Sequence, residues 1–101
     1  MKPVKKCKNI KEVRRAIDEL DKEIISLLGR RFQYVKEIVK FKDKNEESIV
    51  ARERREAVIR SRRQLAIENG LDPDVIEELY QNLISHFIAE ELKLMRDENK
   101  K

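Results

Sequence analysis

Three charged residues stand where the apolar periodicity of the chain asks for aliphatic side chains, and they are the first candidates for chemistry. Between Asn9 and Asp43 apolar residues recur at steps of three and four: Ile10, Val13, Ile17, Leu20, Ile24 and Leu27. Continued, that stripe runs through Arg31, Val35, Ile38 and Lys42. The third misplaced charge is Glu91, inside the apolar face of the C-terminal stretch and four residues from both Phe87 and Met95. A cation taken out of water needs an anionic partner. Arg31 and Lys42 are eleven residues apart, which on an α-helix leaves them about 20° apart around the axis, able to converge on one ligand of about ten heavy atoms. Arginine offers a planar fork that matches a carboxylate, and lysine a compact charge that can serve two acceptors. Arg14 lies seventeen residues before Arg31, about 100° away around the axis, so in a dimer it could reach the partner's site instead. Arg52 and Glu53 open a second helical stretch. Together these residues have the character of a pocket for a small, doubly anionic molecule. The competing reading makes Arg31 and Lys42 members of interhelical salt bridges with Glu23, Glu37, Glu53 or Glu91.

No conventional covalent apparatus accompanies them. His86 is the single histidine and has no evident catalytic partner, Cys7 is the single cysteine, and no metal-ligand spacing occurs. An enzyme built from this chain would draw its catalysis from positioning and electrostatics.

The elements that must hold these residues are helical. Asn9 is suited to cap a first helix over about 9–43, with Glu12 closing a capping-box-like start. Such a helix would be about 50 Å long, far more than a compact domain with a radius of gyration near 13 Å can cover. That excess length argues for a homodimer in which two such helices bury each other's seams. After a polar break, Ser48 is placed to cap a second helix over 49–68, with a thin stripe of Val50 or Ala51, Val58 and Leu65. Asn69-Gly70 closes it, and Asp72-Pro73 opens a third helix over 73–97. The first eight residues read as a loose basic lead-in, and no stretch alternates like a strand. The expectation is an all-α single domain over 1–101 with three helices per chain.

Composition narrows the class. The 101 residues carry 24 basic and 20 acidic side chains, a net charge of +4, with the two signs interspersed. Mixed signs usually mark solvated helix faces rather than a basic footprint, so nucleic acid is not the expected partner. A helical dimerisation module with nucleic-acid-binding basic helices is the alternative from a different class. No apolar run approaches a membrane span, no signal-peptide core precedes Asn9, and the lone thiol suits a reducing compartment. A cytoplasmic protein without membrane contact is expected.

The pattern Arg14-x-x-Ile17-Asp18-x-x-Asp21, then Leu27-Leu28-Gly29-Arg30-Arg31, then Lys42, resembles the all-helical chorismate mutases. Arg52-Glu53-Arg54 and the Glu91 position extend the likeness over essentially the whole chain. The resemblance implies three helices per chain, an intertwined homodimer with two shared sites, and cofactor-free rearrangement of chorismate to prephenate. It implies that Arg31, with Arg14 of the partner subunit, holds the two substrate carboxylates. Lys42 would bond the ether oxygen and the side-chain carboxylate, Glu53 the ring hydroxyl, and Arg52 would add positive charge. Glu91 stands where many members carry glutamine as second donor to the ether oxygen. Only a protonated Glu91 could donate there, so activity is expected to rise at mildly acid pH. Cys7, Tyr34-Val35-Lys36, Phe41-Lys42, Asn69-Gly70-Leu71-Asp72 and Ile88-Ala89-Glu90 look closer to the isochorismate-pyruvate lyase branch, whereas Arg52 matches the mutases. In that branch the segment before Ile49 acts as a lid.

Overall fold

The computed structural model describes residues 3–41 and 47–99, with side chains at 3–41 and 52–97. The described residues form three α-helices: α1 (Ile10–Ile38), α2 (Glu47–Glu68) and α3 (Pro73–Asn99). Short 3-10 turns occur at Val4–Lys6 and Val39–Phe41, and no strand occurs among the described residues. The chain is all-α. It divides into two compact units, Met1–Tyr34 and Val35–Lys101, the division falling within α1.

In the first unit the helix start is set by local chemistry. The Glu12 backbone N–H donates to Asn9 Oδ1 at 3.0 Å, and the Glu12 carboxylate accepts from the Lys8 N–H at 2.6 Å. One amide left over at the helix N-terminus, and one just before the cap, are thereby satisfied by side chains. The lead-in is more ordered than its composition implies. Lys6 and Cys7 donate their backbone N–H groups to the carbonyls of Pro3 and Val4, closing the turn at Val4–Lys6. Beyond that turn the six aliphatics of the α1 stripe, Ile10 to Leu27, are 43–62% exposed.

The second unit is an antiparallel helix pair joined by a tight turn. Gly70 adopts φ 73°, a left-handed conformation that costs glycine little and a side chain more. The Leu71 N–H donates to the Ala66 carbonyl at 2.8 Å, and the Gly70 N–H to the Ile67 carbonyl at 3.2 Å. These two bonds are the Schellman pair, and they satisfy carbonyls that the end of α2 would leave open. Asp72 then caps α3, its Oδ1 accepting from the Asp74 N–H at 2.9 Å, with Pro73 at the first helical position. The buried aliphatics are Val58, Ile59 and Ala66 of α2, and Val39 of the turn at Val39–Phe41, which lies against α3.

Three sequence expectations need correction. α1 keeps α-helical geometry only to Ile38, and Val39–Phe41 winds more tightly, so uniform α-helical steps do not extend from Arg31 to position 42. α2 starts at Glu47, with Ser48 already inside it. A capping residue such as serine is also tolerated in the first turn, so this cue does not define a boundary to within two residues. Leu65 is 49% exposed, and the inner face of α2 is Val58, Ile59 and Ala66 flanked by half-buried Arg55, Arg62 and Arg63. Arginine stems lie along apolar surface while their heads reach outward, so a pattern built from apolar residues alone misplaces such a face.

Candidate active site

The candidate residues come from all three helices. In the first unit α1 carries Arg14 and Arg31. Arg14 is exposed, whereas Arg31 is half-buried with its Nη1 shut off from solvent. Seventeen residues of helix separate them, about 25 Å along the axis. One small ligand cannot bridge that span within a single chain. Lys42 lies outside the described residues, as does the segment 42–46 that precedes α2.

In the second unit α2 presents Arg52 and Glu53, both exposed, and α3 presents Glu91. Glu91 is 8% exposed and is the one buried polar or charged side chain among the described residues. It shares a helix stripe with Tyr80, Ile84 and Phe87, all half-buried, so it stands in the middle of the inner face of α3. Burying a carboxyl there is costly without hydrogen bonds or a charge to meet it. His86, which on the apolar side of a helical stretch would read as a half-buried helix residue rather than a catalytic one, is exposed and meets Phe87 edge to face at 5.3 Å.

Arginine ties set the level of α2 against α3. Near the connecting turn Arg63 Nη1 donates to Asp74 Oδ1 at 2.9 Å and to Glu77 Oε1 at 3.0 Å. The Asp74 hydrogen bond leads in raising the Arg63 guanidinium above its ordinary value, against an opposing loss of hydration. Two turns earlier on α2, Arg55 Nε donates to Gln81 Oε1 at 2.7 Å. Its Nη2 donates to the Gln81 carbonyl at 3.2 Å and to Ser85 Oγ at 2.9 Å. This antiparallel register carries Arg52 to the level of His86, and Glu91 roughly 7 Å further along α3. The hairpin thus brings Arg52, Glu53 and Glu91 to the end away from its turn. By its mixed charges the run Arg52-Glu53-Arg54-Arg55 reads as a solvated face. Arg55 departs from that reading, and its spacing from Ile59, Arg62, Arg63 and Ala66 at helical steps is the available signal.

These features define an all-helical protein whose ionic side chains, rather than a nucleophile, are its candidate working groups. Residues 13–92 match the description of the family "Chorismate mutase type II", and the chain belongs to that family. It is 41% identical over 96 residues to the isochorismate pyruvate lyase of Pseudomonas aeruginosa, covering 95% of this chain and 94% of that protein. It is also 33% identical over 82 residues to the T-protein of Haemophilus influenzae, covering 81% of this chain but 22% of that much longer protein. The chain is an enzyme of the chorismate mutase kind. No helix among the described residues is long and apolar enough to cross a membrane.

Proposed function

We propose that the chain rearranges chorismate to prephenate in a cationic pocket shared between two subunits. The observation that carries this reading is the pairing of family membership with Glu91, a carboxyl buried on the inner face of α3 near the level of Arg52 and Glu53. In the rearrangement the ether C–O bond breaks as a C–C bond forms, and the ether oxygen gains negative charge. Donors placed at that oxygen bind the transition state more tightly than the substrate. Lys42 supplies one donor, and Glu91 occupies the position of the other. Arg31 and Arg14 of the partner subunit hold the two carboxylates, so that the substrate is folded with its reacting carbons in register. Glu53 accepts from the ring hydroxyl, and Arg52 adds positive charge beside it.

Two observations support the shared site. Arg14 and Arg31 are too far apart on one helix to serve the same small molecule. The exposed stripe from Ile10 to Leu27 is an aliphatic seam that a second copy would cover. Burying the exposed half of each such side chain contributes about 1 kcal/mol, so six of them on each helix favour a dimer.

A second reading is favoured by the likeness to the Pseudomonas aeruginosa enzyme over 94% of that protein's length. In it, the same pocket takes isochorismate and releases salicylate and pyruvate. Purified protein incubated separately with chorismate and isochorismate, with prephenate and salicylate assayed, separates the two. Prephenate from chorismate is expected. Salicylate alone would transfer the assignment to the lyase, and turnover of neither would remove both. In the last case, steeply salt-dependent binding to DNA would favour a nucleic-acid module.

A further inference from the structure

We propose that Arg55 is a positioning residue that straps the N-terminal half of α2 to α3 and so sets where Arg52 and Glu53 stand. The inference rests on the site proposed above, in which those two residues meet the substrate.

The hairpin is closed covalently at its turn, and Arg63 reinforces it there through Asp74 and Glu77. Arg55 makes its contacts two turns further from the turn, closer to the end that carries Arg52 and Glu53. Its three bonds are of different kinds: a side-chain amide oxygen, a backbone carbonyl and a hydroxyl. Gln81 and Ser85 are four residues apart on α3, one above the other along its flank. A guanidinium fork that spans both levels fixes the height of α2 as well as its distance, which a lone ammonium cannot do. Arg52, Arg55, Ile59 and Arg63 lie on one stripe of α2. Arg52 is therefore one turn beyond the strap on the same face, and Glu53 is the next residue. A misplacement of about 1 Å in a positioned charge can cost up to 10²-fold in rate. Holding this end of α2 is accordingly a catalytic requirement as well as a packing one.

The test compares Arg55→Ala, Arg55→Lys, Arg63→Ala, Arg52→Ala and the Arg52→Ala/Arg55→Ala pair in the full-length protein. Two measurements are made: kcat and KM on the substrate that the wild-type enzyme turns over, and hydrogen exchange of the α2 amides. Arg55→Ala should lower kcat/KM roughly tenfold or more, and Arg55→Lys should recover only part of that loss. In the double variant the two losses should not add, because Arg52 is already misplaced once Arg55 is gone. Arg63→Ala should lower the melting temperature with kcat/KM kept in the folded fraction. Exchange in Arg55→Ala should quicken at residues 52–57 and stay as in wild type at 62–68. Losses that add for Arg52 and Arg55, or unchanged exchange at 52–57, would overturn the proposal. If the wild type turns over neither substrate, the functional reading fails, and the exchange comparison still decides whether Arg55 is a strap.

Discussion

Along residues 10–27 of α1 every third or fourth side chain is aliphatic, yet all six of these stay about half exposed. The α2–α3 hairpin, by contrast, seals Val58, Ile59, Ala66 and the carboxyl of Glu91. The difference lies in what each region provides for itself. The hairpin has a left-handed glycine, a capping aspartate and two arginine ties, all within one chain. The stripe of α1 has a good cap and a regular apolar seam but no cover of its own over those six residues. A region that closes on itself can hold a buried charge at a defined level. A region that leaves a seam open keeps apolar surface for a further partner, which the proposed function supplies as a second copy. On the proposed function both are needed, because the anion-binding arginines are on α1 and the remaining described candidates are on the hairpin.

The contrast is sharpest at the α1 seam, where the largest effect is expected. Ile24→Asp places a charge in the middle of the stripe and would bury it twice in a symmetric dimer, at a cost of several kcal/mol. The variant should sediment as a monomer at micromolar concentration and lose at least a hundredfold in turnover. A variant that stays dimeric and active would show that the stripe is not the interface. On the hairpin side, Glu91→Gln keeps the size of the side chain and supplies a fixed N–H donor. It should keep or raise kcat/KM, whereas Glu91→Ala should lower it about a hundredfold. A Glu91→Ala variant with wild-type kcat/KM would remove Glu91 from the proposed donor role. The smallest effect belongs to the turn. Gly70→Ala forces a side chain into φ 73° and should cost about 1 kcal/mol of stability, read as a small drop in melting temperature, with activity per folded molecule unchanged. A loss of activity beyond the unfolded fraction would tie the turn to the site.

What was legible in the sequence follows the range of each interaction. The cap at Asn9 with Glu12, the close at Gly70 and the start at Asp72-Pro73 are contacts within a few residues, and all three stand in the structure. The inner face of α2 was misread because its flanks are arginines that reach across to α3, and charged residues carry no apolar signal. The register that levels Arg52 with His86 depends on Arg55 and Arg63 finding partners 26 and 11 residues away, a pairing no local pattern contains. The tightening at Val39–Phe41 escaped for a related reason. No glycine or proline marks the sequence Val39-Lys40-Phe41, although the backbone step changes there. Glu91 was legible as an anomaly, since a lone acid inside an apolar stripe marks burial before any neighbour is known.

The central claim, a site assembled from Arg31 of one chain and Arg14 of the other, has a direct test in subunit mixing. Arg14→Ala and Arg31→Ala variants are each assayed alone, then mixed, dissociated and reassembled. Each parent should lose roughly 10²-fold or more in kcat/KM, as expected for removing a carboxylate anchor. In the mixed dimer one site keeps both arginines and the other has neither, so random reassembly should restore about a quarter of wild-type activity. A mixture no more active than its parents, with subunit exchange shown to be complete, would contradict the shared site.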